Sequence, residues 1–299
     1  MALSKAPAVT HVRVDDGSAG QRIDNFLVRV CKGVPKSHIY RILRSGEVRV
    51  NSKRVAQTYR LQEGDELRIP PIRLAEKADV PPVPVGKPFD IVFEDDALLV
   101  LDKPAGLAVH GGSGVSFGVI EQLRRQRPEA KFLELVHRLD RETSGLLIVA
   151  KKRSALTVLH DMMREGRVHK RYLTLVAGRW LNLQQHIKLA LHKYLTEGGE
   201  RRVSVSPEGK PAHSIVRLAK RWQSCSLVEV ELKTGRTHQI RVHLSHSGFP
   251  LFGDDKYGDF ALNKQLEKAG LKRMFLHAAK LGFRHPLTDQ EIELASPLP

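Results

Sequence analysis

The chain has 299 residues, 41% of them hydrophobic, enough to bury one large core or two smaller ones. The formal net charge of +16 predicts a polyanionic partner, with nucleic acid as the first candidate and an anionic membrane surface as the second. No apolar run has the length of a transmembrane helix, and the N-terminus lacks the apolar core of a signal peptide. Cys31 and Cys225 lie far apart, which argues against a disulfide framework and a zinc ribbon and predicts a cytoplasmic protein.

Residues 20–72 are predicted to form a small first unit. Pro35 suits a first helical turn and Gly46 would end that helix, because glycine accepts the left-handed conformation found there. Between them, Ile39, Ile42 and Leu43 fall on one helical face. The stretch VRVNSKRV after the helix predicts a strand, a turn and a strand, and GDELRI predicts one further short strand.

This first unit is strongly basic. From Arg29 to Arg60 it carries nine lysines or arginines and a single acid, Glu47. A charged helix face is often only a solvated face, but solvation is served better by mixed signs. The pattern, including GEVRVN and GDELRI, resembles the S4 RNA-binding domain, which implies a module that grips phosphates and reads little base sequence. The cations assigned to this contact are Lys36, Arg41, Arg44, Lys53 and Arg54.

A proline-rich linker follows the first unit. The stretch 69–88 contains six prolines, which can neither pair in a sheet nor continue a helix. We assign the linker to residues 73–88, so that the chain divides near residue 80. It separates an N-terminal extension (1–19) and the S4-like unit (20–72) from a second unit that covers residues 89–299.

The second unit has a mixed pattern of strands and helices. Strands are predicted over 89–93, 98–101, 134–137, 146–150, 171–177 and 227–232. One helix is predicted to be capped by Ser154 and to stop at Gly166, and Ile240 and Leu244 mark another. The apolar face of the first of these helices comprises Leu156, Leu159 and Met163. Because these elements do not alternate as a βαβ series, the prediction is an α+β fold with a mixed or mostly antiparallel sheet.

The stretch HRLDRETSG (137–145) is the most informative part of the chain. It places Asp140 between Arg138 and Arg141, at the end of one apolar run and before a second. Strand, turn and strand commonly hold one side chain at the mouth of a cleft. Flanking guanidinium groups keep a carboxylate ionised, which suits a nucleophile or base better than an acid. Taken alone, the tripeptide RLD is more typical of a surface turn whose aspartate pairs with arginine.

Two cofactor hypotheses find little support in the sequence. The spacings of His238, His243 and His246, five and three residues, match no zinc pattern, and contacts to phosphate would suit these histidines as well. The glycines of HGGSGVSFG break the dinucleotide fingerprint, because Phe117 occupies the position of the third glycine. We therefore expect no metal and no nucleotide cofactor, and a loop at 110–118 that faces a substrate.

Five segments in order resemble the RluA-like pseudouridine synthases, which isomerise uridine to pseudouridine in RNA. They are EDDALLVLDKPAGLAVHGGSG (94–114), HRLDRETSG (137–145), KRYLTLV (170–176), LKTGRTHQIRVHLSHSGFPLFGDDKYG (232–258) and FLHA (275–278). The resemblance implies a large central sheet beside a basic cleft, a reaction without a cofactor, and base flipping of the target uridine. It also implies large-subunit ribosomal RNA as the partner, no membrane, and a monomer.

The resemblance assigns roles to individual residues. The catalytic set is Asp140, Tyr172 and Arg241. The substrate-binding set is Arg138, Leu276, His110 and Arg236. Asp140 would be the catalytic carboxylate, whether it adds to uracil C6, attacks C1′ or removes a sugar proton. Tyr172 would lie against the base and Arg241 would pair with Asp140, while Arg138 would occupy the space that the flipped nucleotide leaves.

Two alternatives from other functional classes remain at this point. A protein that only binds RNA would also carry an S4-like unit, but it has no need for Asp140 together with Tyr172 and Arg241. A metal-dependent nuclease would need clustered carboxylates at metal-ligand spacing, which the sequence lacks. One departure from the family pattern is Asp102 in LDKP, where many members carry asparagine.

Overall fold

The computed structural model describes residues 9–15, 17–31, 33–72, 86–111 and 117–299. The chain forms two compact units, residues 1–83 and 84–299. Their division falls inside the predicted linker, of which residues 73–85 lie outside the described ranges. In the described ranges no helix is both long and apolar enough to cross a membrane.

The first unit combines a three-stranded antiparallel sheet with two helices. Its strands are β1 (Thr10–Arg13), β2 (Arg49–Val50) and β3 (Glu66–Ile69), and its helices are α1 (Ile23–Val30) and α2 (Lys36–Ser45). The strand order is β1-β3-β2. Because β1 pairs with β3, the unit begins upstream of residue 20, inside the stretch predicted as an extension. The side chains of β1 are mostly exposed, so the strand shows no alternation by which its sequence could be recognised.

Helix α2 follows its predicted course. Pro35 immediately precedes the first helical residue, and Gly46 ends the helix in the left-handed region with a φ of 78°. The apolar stripe of Ile39, Ile42 and Leu43 is buried in the core of this unit. The opposite, cationic face therefore points to solvent.

The second unit is built on a ten-stranded sheet. Its strands are β4 (Asp90–Glu94), β5 (Leu98–Lys103), β6 (Glu134–Leu135), β7 (Ser144–Ala150), β8 (His169–Ala177), β9 (Gln184–Lys188), β12 (His213–Arg221), β13 (Cys225–Leu232), β14 (Leu276–Arg284) and β15 (Glu291–Ala295), with β10 (Leu191–Leu195) and β11 (Arg201–Val205) forming a separate hairpin. The main path is β4-β5-β7-β14-β8-β13-β12-β9, while β6 pairs with β7 and β15 with β14. The helices are α3 (Val119–Gln126), α4 (Arg153–Arg164), α5 (Gln239–His246) and α6 (Phe260–Lys268).

The α+β prediction is confirmed. In the large sheet β7 and β14 pair in parallel, and the other pairings described are antiparallel. Both faces of the sheet are covered, since β5 and β7 send alternate buried side chains to two hydrophobic clusters. Helix α4 packs on one face, and α3 and α5 pack on the other.

Helix α4 differs from its prediction in two details. The helix starts at Arg153 after Lys152, so Ser154 lies inside the first turn and does not cap it. Its buried face comprises Ala155, Leu156, Leu159 and Met162. Met163 is only half-buried, because the face that packs on the sheet runs through Met162 and leaves Met163 at its edge.

The parallel pair brings the HRLDRETSG turn beside the start of β14. Ser144 lies opposite His277 and Gly145 lies opposite Ala278. Gly145 has a φ of 105°, and a Cβ added to it would lie 2.4 Å from the carbonyl oxygen of Ala278. Glycine is therefore required here both for the backbone conformation and for the close approach of the two strands.

We expect Gly145→Ala to lower the free energy of unfolding of the second unit by at least about 3 kcal/mol, because it combines a left-handed φ with a backbone clash. Gly166→Ala is the matched control: Gly166 has a φ of 73° but open space around its Cβ position. That variant should lose only about 1–2 kcal/mol. Urea unfolding followed by tryptophan fluorescence measures the loss of stability in each variant. Equal losses would contradict this prediction, because they would show that β7 and β14 can move apart to admit a Cβ at no cost in free energy.

Candidate active site

The turn between β6 and β7 opens onto a cleft of about 590 Å³. That volume lies within the range of about 300–1,000 Å³ that small-molecule sites occupy. Among the described residues that line the cleft, Asp140 is the single acid. Six of the lining residues are lysine or arginine: Arg138, Arg164, Lys170, Lys233, Arg236 and Arg241. The cleft therefore suits a polyanion that presents one uncharged group to a carboxylate.

The turn that carries Asp140 is held by a buried lysine from β5. Lys103 Nζ donates to the carbonyl oxygens of Pro104, Leu107 and Arg141 at 2.8, 2.8 and 3.0 Å. Burial lowers the pKa of the Lys103 ammonium group to about 8, although the charges of Glu142 and Asp140 oppose the shift. The three hydrogen bonds that the ammonium group donates make this buried cation tolerable and fix the backbone immediately after Asp140.

A second polar chain holds the end of the same turn. Ser144 Oγ accepts a hydrogen bond from Arg273 at 2.9 Å and lies 2.9 Å from His277 Nδ1. The other ring nitrogen of His277 lies 3.1 Å from the carbonyl oxygen of Ser296, whose hydroxyl donates to Asp102. Asp102, the departure noted in the sequence, thus helps to fasten the C-terminal segment to the sheet.

The cation that faces Asp140 is Arg241 on α5. Arg241 Nη1 donates to Asp140 Oδ2 at 3.3 Å, and the Arg241 side chain is only 4% exposed. Its main partner is Asp254, which accepts from Arg241 Nε at 2.7 Å and from Nη2 at 2.6 Å. Asp255, largely exposed, accepts from Nη2 at 3.3 Å. Arg241 is therefore fixed as a fork on Asp254, with Nη1 left for the cleft.

The ionisation states of this buried pair follow from their contacts. Burial alone would lower the pKa of the Arg241 guanidinium, but hydrogen bonds and charge from Asp254, with the charge of Asp140, raise it instead. Burial would likewise raise the pKa of the Asp254 carboxyl, yet Arg241 and the N–H groups of Lys256 and Tyr257 lower it. Both groups stay charged at neutral pH, so Asp140 faces a permanent cation.

The arginines adjacent to Asp140 in sequence do not provide its charge partner, contrary to the prediction. Arg138 Nη1 lies 3.2 Å from His110 Nε2, and Arg141 Nε donates to Glu142 at 2.8 Å. In the described part of the chain, Asp140 forms its ion pair with Arg241, and His238 Nε2 lies 3.9 Å from Asp140 Oδ1. Successive residues of an extended turn point in different directions, which explains why neighbours in sequence are not neighbours of the carboxylate.

Tyr172 and Leu276 form apolar walls of the cleft. Tyr172 lies in β8, paired with Ala278 of β14, and its side chain is almost fully buried. Burial, with the charge of Asp140, raises the pKa of the Tyr172 hydroxyl, so the phenol is neutral. Leu276, at the start of β14, is 3% exposed and belongs to the hydrophobic core as well as to the cleft. A flat base placed against these two side chains would contact ring and methyl groups.

The rim of the cleft carries cations that lack acidic partners. Arg138 contacts His110, Arg236 Nε donates to the carbonyl oxygen of Pro211 at 3.0 Å, and Lys170 Nζ lies 3.4 Å from the sulfur of Met163. Within the described ranges, none of these three cations forms an ion pair. His110 lies beside Arg138, outside the set of residues that line the cleft.

The three clustered histidines have separate surroundings. His238 lies in the cleft beside Asp140, whereas His246 is exposed at the end of α5. His243 is fully buried and contacts Ser214 Oγ and the carbonyl oxygen of Leu189 at 3.0 Å each, so it cannot contact phosphate as the sequence suggested. In the part of the chain that is described, no group of three His, Cys, Asp or Glu residues could hold a metal ion.

The cations assigned to the first unit lie on its surface. Lys36, Arg41, Arg44, Lys53 and Arg54 are all exposed. Arg41 contacts His38 at 3.5 Å and Arg54 donates to the carbonyl oxygen of Arg44. Across the described residues of this unit the one ion pair is Arg22 with Asp24, so these five cations are free to meet phosphate.

Sequence reasoning missed Asp254 and Tyr257, although both lie in the GDDKYG end of a segment that it singled out. Asp254 holds Arg241, and the Arg241 guanidinium carbon lies 5.1 Å from the centre of the Tyr257 ring. The signal available was a pair of adjacent acids in an otherwise basic segment.

Comparison with known proteins agrees with this geometry. The RNA pseudouridylate synthase family matches residues 97–246, and the S4 domain matches residues 21–67. The chain is 52% identical to ribosomal large subunit pseudouridine synthase C of Escherichia coli strain K12, over 99% of this chain and 95% of that protein. It is 51% identical to the protein of that name from Pasteurella multocida, over 97% of this chain and 91% of that protein.

Two solved human structures share the fold. Human RNA pseudouridylate synthase domain containing 1 has a TM-score of 0.60 and 28% identity, over 73% of this chain and 86% of its own. Human RNA pseudouridylate synthase domain containing 4 has a TM-score of 0.58 and 25% identity, over 70% of this chain and 88% of its own. The chain belongs to the RNA pseudouridylate synthase family and carries an S4 domain, so it is an enzyme that isomerises uridine to pseudouridine in RNA.

Proposed function

We propose that Asp140 is the catalytic carboxylate and that the substrate uridines lie in large-subunit ribosomal RNA. One observation carries the first part: Asp140 is the single acid among the described cleft residues and is paired with a buried arginine. The names of relatives that are about half identical over nearly the whole chain support the second part.

The chemistry of the reaction fits such a site. The N1–C1′ bond breaks, a C5–C1′ bond forms, and a proton leaves C5 while N1 gains one, so atoms and electrons balance without an oxidant or a group donor. Addition to C6, attack on C1′ and removal of a sugar proton all require an anionic carboxylate beside the nucleoside. Asp140 meets that requirement because the Arg241 cation faces it at 3.3 Å. We therefore expect no cofactor.

The walls and rim of the cleft receive distinct roles in this proposal. Tyr172 and Leu276 hold the uracil ring after its N1–C1′ bond breaks, which prevents its escape. Tyr172 does so as a neutral phenol, since burial raises the pKa of its hydroxyl. Arg138, exposed at the mouth beside His110, fills the space that the flipped nucleotide leaves, and Arg236 binds a flanking phosphate.

The S4 domain serves as the second RNA contact. Its unpaired cations on one helix face attract phosphates independently of base sequence, which adds affinity and leaves the choice of uridine to the other unit. We propose a monomer that acts in the cytoplasm on ribosomal RNA.

Asp140→Asn should abolish pseudouridine formation and leave RNA affinity nearly intact, because the amide keeps the shape of the carboxylate but cannot act as a nucleophile or base. The measurement is chemical mapping of pseudouridine in transcribed large-subunit RNA fragments, together with binding by filter retention. Glu142→Gln, which removes a charge two residues along the same turn, is the control and should remain active. Activity of Asp140→Asn within about tenfold of the parent would refute the assignment.

Replacing Lys36, Arg41 and Arg44 with alanine should weaken RNA binding and flatten its dependence on salt. Each lost phosphate contact lowers the slope of log affinity against log salt concentration by about 0.7–0.9. Turnover at saturating RNA should change little, because these side chains belong to the S4 domain and not to the cleft. An unchanged slope between 50 and 300 mM salt (roughly the range in which counterion release dominates) would mean that this face is only solvated.

A further inference from the structure

His238 is the second side chain that faces the carboxylate of Asp140. Its Nε2 lies 3.9 Å from Asp140 Oδ1, while Arg241 Nη1 lies 3.3 Å from Oδ2. His238 and Arg241 therefore lie next to different oxygens of the same carboxylate. The His238 side chain is 15% exposed and lines the cleft, so it lies at the substrate surface and not in the core.

Tyr257 fixes the orientation of the His238 ring through Nδ1, the ring nitrogen that does not face Asp140. His238 Nδ1 lies 2.8 Å from Tyr257 Oη, and the same oxygen accepts the backbone N–H of Val203 at 2.9 Å. With the Val203 N–H occupying one acceptor position of Oη, donation of the hydroxyl proton to Nδ1 satisfies both groups, and we assign that arrangement. In that tautomer the proton of the imidazole lies on Nε2, directed toward Asp140.

The backbone of His238 adopts a strained conformation that is held in place by its surroundings. Its φ of 52° and ψ of 22° lie in the left-handed region, at the residue that precedes α5. A residue other than glycine in that region costs roughly 1–3 kcal/mol, and such strain persists where the surroundings enforce it. Here the carbonyl of His238 accepts the N–H of Val242 at 3.0 Å, and the ring meets Tyr257 edge-on at 5.5 Å.

The charge state of His238 follows from its surroundings. Burial lowers the pKa of the imidazole, the charges of Asp140 and Asp254 raise it, and those of Arg241 and Lys256 lower it again, with a net lowering. The ring is therefore neutral at pH 7 and presents a single N–H donor to the carboxylate. A neutral donor orients an oxygen without forming a second full ion pair with it.

We propose that His238 is a positioning residue for the isomerisation, whose neutral N–H fixes Oδ1 of Asp140 while Arg241 fixes Oδ2. The proposal rests on the catalytic role proposed for Asp140. The contact at 3.9 Å shortens to a hydrogen bond when the nucleotide fills the cleft and displaces water, as such contacts commonly tighten in substrate complexes. The plane of the carboxylate is then set by two donors before it meets the nucleoside.

Three substitutions at His238 separate this role from a structural one. In His238→Gln the amide nitrogen can reach the place of Nε2, in His238→Asn it reaches only the place of Nδ1, and His238→Leu provides no donor. The measurement is the single-turnover rate of pseudouridine formation at saturating RNA, with the half-saturating RNA concentration determined in parallel. Thermal unfolding confirms that each variant is folded.

His238→Leu and His238→Asn should lower the single-turnover rate by about 10- to 100-fold, the effect expected for loss of one hydrogen bond to a charged group. Gln should recover the rate to within about fivefold of the parent, and the half-saturating RNA concentration should stay unchanged in all three. Equal rates for Gln and Leu, or a change confined to the half-saturating concentration, would overturn the proposal. Tyr257→Phe, which removes the oxygen behind the ring, should slow turnover as well, and a rate equal to the parent would also contradict it.

The parent protein and Asp140→Asn distinguish this inference from the proposed function. An inactive parent on large-subunit RNA fragments would refute the proposed substrate. An active parent, an inactive Asp140→Asn and His238 variants as fast as the parent would refute the role of His238 alone.

Discussion

The site depends on one buried ion pair, the fork between Arg241 and Asp254. Both side chains are almost fully buried, at 4% and 1% exposure, and two hydrogen bonds of 2.7 and 2.6 Å join them. Removing such charges from water costs several kcal/mol each, and the pair offsets that cost through its mutual attraction and the hydrogen bonds that surround it. Asp254 also accepts the backbone N–H groups of Lys256 and Tyr257, and Asp140 accepts a hydrogen bond from Nη1 of Arg241.

The sheet brings remote segments to this pair. The parallel contact between β7 and β14 places the Asp140 turn beside Leu276, and the antiparallel contact between β14 and β8 adds Tyr172. Lys103 then fixes the turn through three carbonyl oxygens. Asp140 and Arg241 are therefore held in a fixed relative position. An electrostatic site that is fixed in advance needs little reorganisation during the reaction.

Sequence patterns predicted much of the fold, because buried strands such as β5 and β7 and the stripe of α2 carry their periodicity in consecutive residues. Resemblance, not periodicity, supplied Tyr172, Arg241 and Leu276, and the structure places all three at the cleft. The role of Asp254 was not predicted, because its partner Arg241 lies on the far side of a loop and their contact is determined by packing. For the same reason the arginines beside Asp140 were misjudged, since adjacency in sequence says little about the direction of a side chain. Lys103 binds carbonyl oxygens, which residue identity does not reveal.

The most direct test of the fork is Asp254→Asn compared with Asp255→Asn in a single-turnover assay on folded protein. Both substitutions remove one acid that contacts Arg241, but the Asp254 side chain is 1% exposed and that of Asp255 is 69% exposed. If the buried fork positions Asp140, Asp254→Asn should slow pseudouridine formation at least about 100-fold, with a loss of stability of about 3–5 kcal/mol. Asp255→Asn should stay within about threefold of the parent. A folded Asp254→Asn protein that reacts as fast as the parent would contradict the account.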